Sequence, residues 1–204
     1  MEKRIIGITG GIGSGKSVVS RVVRLNGVPV YDCDLEAKKL MQSDSSLRSE
    51  LTRLIGSAAY DAQGFLDRKY VASRIFSDPE LLADVNALVH EAVRNHFCRF
   101  AASHKSATVF CESAILATSG MADGCTRIWL VDAPEGVRME RVTKRDGMTE
   151  SQVRERMEAQ RLEFEMLPKE KTLRIDNSGE HPLLPVILEL IDNKPTICLE
   201  KYWR

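Results

Sequence analysis

A chain of 204 residues with 43% apolar side chains suits one α/β domain carrying an insertion, and is short for two domains of equal size. Lys plus Arg and Asp plus Glu both total 29, so no net positive field draws the chain to a polyanion, and nucleic acid is not an expected partner. Five cysteines, Cys33, Cys98, Cys111, Cys125 and Cys198, include no C-x-x-C pair, which argues against a disulfide framework or a zinc site.

The apolar run after Lys3 and Arg4 is broken by Gly7 and Gly10 before it reaches signal-peptide length, and no stretch approaches a membrane span. A cytoplasmic chain without a membrane partner is therefore expected. Ile5 to Thr9 reads as a buried strand. It runs into Gly10-Gly11-Ile12-Gly13-Ser14-Gly15-Lys16-Ser17, and Gly10, Gly15, Lys16 and Ser17 satisfy G-x-x-x-x-G-K-[ST]. Val18 to Val23 then follows a helical pattern. Glycines let successive backbone N–H groups turn toward one anion, and the helix N-terminus adds partial positive charge. Gly11, Ile12, Gly13, Ser14, Gly15, Lys16 and Ser17 are the expected nucleotide phosphate cradle, with Lys16 on the β- and γ-phosphates of ATP and Ser17 on Mg²⁺.

Gly27 reads as a helix stop and Val28 to Tyr31 as a second strand that delivers Asp32-Cys33-Asp34 at its carboxyl end, the rim where open parallel sheets bind ligands. Helices are expected over Leu35–Met41 and Leu47–Ile55. Residues 57–102 read as a helical acceptor-binding insertion, with Asp67 and Asp78-Pro79 as helix starts. Thr108–Cys111, ending in Glu112, and Arg127–Val131 are further strands. Gly136–Arg145 and Glu150–Glu165 read as two helices, the second opened by a Thr149/Gln152 capping box, and residues 138–165 form the expected lid. Leu173–Asp176 is a last strand, Asn177-Ser178-Gly179 a turn and Leu183–Ile191 a closing helix; residues 194–204 have no assigned element. Strands alternating with helices imply an α/β, three-layer P-loop NTPase fold with a five-stranded parallel sheet, an inserted helical substrate region and a helical lid.

Phosphoryl transfer needs positioning, charge neutralisation and a carboxylate at the acceptor. Asp34 is the candidate base that orients the acceptor hydroxyl, and Asp32 and Glu112 are candidates for the magnesium shell, directly or through water; the alternative for either aspartate is a helix N-cap. Arg138, Arg141 and Arg145 share a helix face, and Arg145 stands at the lid hinge, where closure brings a guanidinium to the transferring phosphate. His90, His96, His104 and His181 lack metal-ligand spacing, and only His90, inside the insertion, is a candidate for acceptor contact. A dinucleotide reading fails on register, since the residue three beyond Gly13 is Lys16.

The ordered set of motifs resembles the dephospho-coenzyme A kinase family. Ile8 to Ser17 is similar to that family's loop. Asp32-Cys33-Asp34 with Ala37 resembles its D-x-D-x-x-A, and Gly64-Phe65-Leu66-Asp67-Arg68 its G-x-L-D-R. Arg141 with Arg145-Asp146 resembles its lid, Arg156 with Ala159-Gln160 the helix that follows, and Ile175-Asp176-Asn177 its I-x-N. The resemblance implies ATP on Gly11 to Ser17 with Asn177 near adenine, and phosphorylation of the ribose 3′-hydroxyl of dephospho-CoA near Asp34, with Arg145 on the phosphates and Arg68 and His90 in the acceptor site. It is compatible with a monomer or weak homo-oligomer. His90-Glu91 replaces His-Pro, so the helix is expected to continue there. Ala114 to Thr118 replaces P-L-L-x-E, with Glu112, Glu163 or Glu165 as possible compensation for the missing glutamate, and Lys171-Thr172 replaces Ala-Asp. Fold and loop alone leave open another small-molecule or nucleoside monophosphate kinase, or a nucleotide-binding regulator without transfer activity.

Overall fold

Five short apolar segments pair into one sheet in the computed structural model of the chain, which describes residues 3–192. The strands are β1 (Arg4–Thr9), β2 (Val30–Asp32), β3 (Thr108–Glu112), β4 (Arg127–Asp132) and β5 (Thr172–Asp176), in the order β2-β3-β1-β4-β5. β1 pairs in parallel with β3 and β4, and β4 with β5. Such a sheet needs cover on both faces, which is why its strands are near-continuous apolar runs. β2 starts later than the apolar pattern suggests because Pro29 has no N–H to give a ladder; its carbonyl still accepts from Phe110 N at 2.9 Å.

The chain divides into two compact units, one taking the residues up to Val30 and from His104 onward, the other Tyr31–Ser103. In the first, α1 (Lys16–Leu25) and α9 (Leu183–Asp192) pack together, and the core gathers Ile6, Ile8, Val19, Val23, Phe110, Trp129, Val131, Ile175 and Ile187. Phe110 meets Trp129 edge to face at 4.8 Å between ring centroids. Gly7 in mid-β1 has a packing cause: a β-carbon there would come within 2.5 Å of Leu116 Cδ2 and 3.0 Å of Cys125 Sγ. Its absence lets the segment after β3 press against the sheet.

Three more helices of this unit lie among the described residues: α6 (Glu135–Asp146), α7 (Glu150–Ala159) and α8 (Arg161–Glu165). The capping box of Thr149 and Gln152 opens α7 as expected. The single helix expected over Glu150–Glu165 is instead broken at Gln160. Glutamine is no helix breaker, and the cause is tertiary: Gln160 Oε1 accepts from Ile12 N at 2.8 Å, and Glu163 is turned inward to 3% exposure.

The second unit is helical: α2 (Cys33–Ser43), α3 (Ser45–Ile55), α4 (Arg68–Ile75) and α5 (Pro79–Ser103), with α2, α3 and α4 each packed on α5. Asp32, Asp44, Asp67 and Asp78 accept from first-turn N–H groups of α2, α3, α4 and α5 in turn, so each aspartate at a turn starts a helix. The expected insertion from residue 57 to 102 lies inside this unit, which begins earlier, at Tyr31. The helix α5 runs through His90-Glu91 as the sequence suggests. Tyr31 anchors the unit, its hydroxyl 2.8 Å from His96 Nδ1 and its ring against Phe97 and Phe100. The unassigned stretch 194–204 lies outside the described residues.

Candidate active site

β1 is the central strand, and its carboxyl end opens into the glycine loop. Gly13 and Gly15 adopt left-handed backbone, at φ 78° and 98°, which lets the loop wrap. A β-carbon on Gly13 would come within 2.6 Å of the Arg138 carbonyl, so the loop lies directly on a turn of α6. α1 then opens at Gly15 with no side-chain cap, whereas Thr149 caps α7 within the same unit. An uncapped first turn inside a glycine cradle fits an anion. Lys16 folds back to donate to the Gly10 carbonyl at 2.6 Å and reaches the Gly11 carbonyl at 3.5 Å. Ser17, at the second residue of α1, is exposed.

Two other side chains hold the loop. Asn177 Nδ2 donates to Ser14 O at 2.7 Å, and its own N–H donates to Asp132 O at 2.7 Å, which ties the loop to the ends of β4 and β5. The Gln160 bond to Ile12 N fixes the other side. Gln160 carried no loop-binding signal in the sequence, because its contact spans 148 residues.

The charged candidates of this unit differ in burial and in partner. Glu112, at the end of β3, is 12% exposed and pairs with Arg24 at 3.9 Å, so it is a largely buried carboxylate rather than one facing solvent. Arg145 is exposed, and its fork is taken by Asp146, with Nε donating to Oδ1 at 2.8 Å and Nη2 to Oδ2 at 2.7 Å. Those bonds hold the Asp146 carboxyl below its usual pKa and raise that of Arg145. Arg138 lies against Gly11, where a β-carbon would overlap its Nη1. Gly11, Asp132, Arg138, Met157, Arg161 and Phe164 are among the residues lining a cavity of about 550 Å³.

Glu163 has a role that spacing alone did not reveal. Its carboxylate accepts from Ala117 N, from Thr118 N at 2.8 Å and from Thr118 Oγ1 at 2.8 Å. It supplies a carboxylate to the segment after β3 at the very position where threonine stands in place of a glutamate.

The candidates of the second unit sit apart in sequence from these. Asp32 is engaged as the cap of α2 through Oδ1, which accepts from Leu35 N at 2.9 Å. Asp34 lies in the first turn of α2 and Arg68 opens α4, exposed. The strand-like turn before Arg68 is gripped at Gly64 O by Gln42 Nε2 and Arg48 Nη1, both at 2.9 Å, while the Arg48 guanidinium lies 4.2 Å over the Tyr60 ring. His90, half-buried on α5, has a lowered pKa because burial and the nearby Arg94 both disfavour its charged form.

A family model described as dephospho-CoA kinase matches residues 4–182. A dephospho-CoA kinase of Porphyromonas gingivalis is 41% identical over 191 residues, 94% of each chain. A crystal structure of a Thermus thermophilus protein is similar with a TM-score of 0.80 and 34% identity, over 97% of this chain and 100% of that one. The dephospho-CoA kinase of Campylobacter jejuni, at 16% identity and a TM-score of 0.66 over 94% of this chain and 96% of its own, shares the fold.

Proposed function

We propose a division of labour among the residues from one premise: the chain belongs to the dephospho-CoA kinase family and phosphorylates dephospho-CoA with ATP, a step of coenzyme A biosynthesis. The acceptor atom is the ribose 3′-hydroxyl, and the products are coenzyme A and ADP. The observation that carries the reading is the uncapped start of α1 inside a glycine cradle with Lys16 folded against its carbonyls.

Gly11 to Ser17 hold the phosphates of ATP through backbone N–H groups, and Lys16 exchanges the Gly10 carbonyl for the β- and γ-phosphates. Asn177 sets the loop's shape beside the adenine. Asp34 orients the 3′-hydroxyl and takes its proton as the O–P bond forms, while Arg68 and His90 bind the rest of the acceptor. Arg145 trades Asp146 for the transferring phosphate when the lid of residues 138–165 closes and excludes water. Transfer is direct and in line, with no phosphoenzyme.

The donor set fits a magnesium ion carried in by the nucleotide. Among the described residues no three His, Cys, Asp or Glu side chains converge as a metal cage, and Mg²⁺ with phosphates and waters needs only one or two protein ligands. Ser17 would hold it, with Glu112 and Asp32 acting through water, and it would supply charge neutralisation on the phosphates. The enzyme works in the cytoplasm as a monomer or weak homo-oligomer, without a nucleic-acid or membrane partner. No described helix is long and apolar enough to cross a membrane.

The test is ADP release from Mg·ATP with and without dephospho-CoA, with the product checked by mass for one added phosphoryl group. Acceptor-dependent ADP and a singly phosphorylated product support the reading; nucleotide binding with no acceptor-dependent turnover refutes it.

A further inference from the structure

Arg138 lies outside the set assigned above, yet it is the arginine that rests on the phosphate loop. A β-carbon on Gly11 would overlap its Nη1, and its own backbone carbonyl lies against Gly13. Its Nε is buried and makes no hydrogen bond. Arg145, Arg154, Arg161 and Arg174 each have a carboxylate partner, at Asp146, Glu135, Glu158 and Asp132 respectively, whereas Arg138 and Arg141 each keep a buried nitrogen without one, and of these two Arg138 is the one that meets Gly11. Arg138 has no carboxylate partner among the described residues, although Asp132, Glu135 and Glu158 line the same cavity.

Lys16 and Arg138 therefore approach one glycine from two sides, the ammonium at the Gly11 carbonyl and the guanidinium at its Cα. A half-buried guanidinium without a carboxylate partner is costly, and an anion held in the loop at Gly11 would meet it. The lysine of this loop type serves the distal phosphates, so the anion that joins Lys16 and Arg138 is the terminal one. We propose that Arg138 is a further catalytic residue that contacts the terminal phosphoryl group of ATP from the Gly11 side, sharing its charge with Lys16. The inference rests on the phosphate-loop reading above.

The test compares wild type with Arg138→Gln and Arg138→Lys, each checked for native circular dichroism and melting temperature. Affinities for ADP and for a non-hydrolysable β,γ-imido analogue of ATP are measured by calorimetry with Mg²⁺ present, alongside kcat and KM. A charge-assisted bond to one phosphoryl group is worth about tenfold to a hundredfold. Arg138→Gln is expected to weaken the analogue by about that factor while ADP binding changes less than about threefold, to lower kcat/KM for ATP in parallel, and to regain turnover when guanidinium is added. Arg138→Lys is expected to retain part of both.

Equal weakening of the two nucleotides, loss of dephospho-CoA affinity alone, or no change in either nucleotide overturns the proposal. Lys16→Ala separates the two readings: unaltered nucleotide binding and turnover in that variant would remove the phosphate-loop assignment itself. Failure of the Arg138 variants alone removes only this inference.

Discussion

Glu163→Ala leaves two backbone N–H groups and one hydroxyl facing a space that the carboxylate filled. The residue is 3% exposed, so water does not replace it freely. Its Oε1 accepts from Ala117 N, and its Oε2 from Thr118 N and Thr118 Oγ1. The threonine hydroxyl can rotate to another partner, but the two N–H groups cannot. Ala117 N loses its acceptor beside the buried Glu163 site at about 1–3 kcal/mol, Thr118, exposed, turns partly to water, and the cavity left behind adds to the cost, so the alanine variant should lose about 3–5 kcal/mol. Glutamine keeps one acceptor oxygen and turns an NH₂ toward the other N–H, which predicts a smaller loss of about 2–3 kcal/mol. Thr118→Val removes only the hydroxyl donor and should cost about 1 kcal/mol.

Urea unfolding followed by circular dichroism reads these differences. For a chain of this size each kcal/mol also lowers the melting temperature by about 2–4 °C, so the alanine variant should melt about 6–20 °C lower. The order Ala, then Gln, then Thr118→Val carries the reasoning. A glutamine variant within about 0.5 kcal/mol of wild type, or one less damaging than Thr118→Val, would refute the view that this carboxylate holds the segment after β3.

Lys16→Ala should lower kcat by about a hundredfold to a thousandfold in steady-state assays, since it removes a preorganised charge from the phosphates. Asp34→Asn should lower kcat far more than it weakens ATP binding by calorimetry; matched losses would instead mark a helix-starting role. His90 titrates in a defined direction: its folded pKa is depressed below the usual 6.5, so the unfolded chain takes up the proton first. The stability this contributes is whole above about pH 7 and drains away as pH falls through 6.5 toward the folded value. Against pH in urea melts, His90→Gln should fall less steeply than wild type over that window, and parallel curves would contradict the assignment.

Local chemistry was legible in the sequence, and contacts between distant segments were not. The glycine loop, the aspartate caps at Asp67 and Asp78 and the Thr149/Gln152 box involve residues a few positions apart, so spacing carries them. The break at Gln160 arises from a bond to Ile12 across 148 residues, and Glu163 reaches Ala117 across 46. The run Glu158 to Glu165 is made of ordinary helix formers, so nothing in it announces the break, and the resemblance that named Glu112, Glu163 and Glu165 as stand-ins for the missing glutamate could not choose among them. Arg145 stands out for its place at the expected hinge, and nothing in the sequence points to Arg138 instead. In the fold its fork is already filled by Asp146, while Arg138, two turns earlier on the same face, lies on the loop.

The central place of β1 has a consequence for biosynthesis. β1 leaves the ribosome well before its two neighbours, which begin at Thr108 and Arg127. At about 5–20 residues per second, Ile6 and Ile8 wait roughly 5–20 s for a sheet to join. Tyr31–Ser103, continuous in sequence, has all its own helices during that interval. The amide that ties Ser14 comes later still, from Asn177, 163 positions downstream. The nucleotide pocket, whose glycine loop emerges long before its partners, is thus among the later parts of the enzyme to be finished, and ATP has no completed site through which to assist the emerging chain.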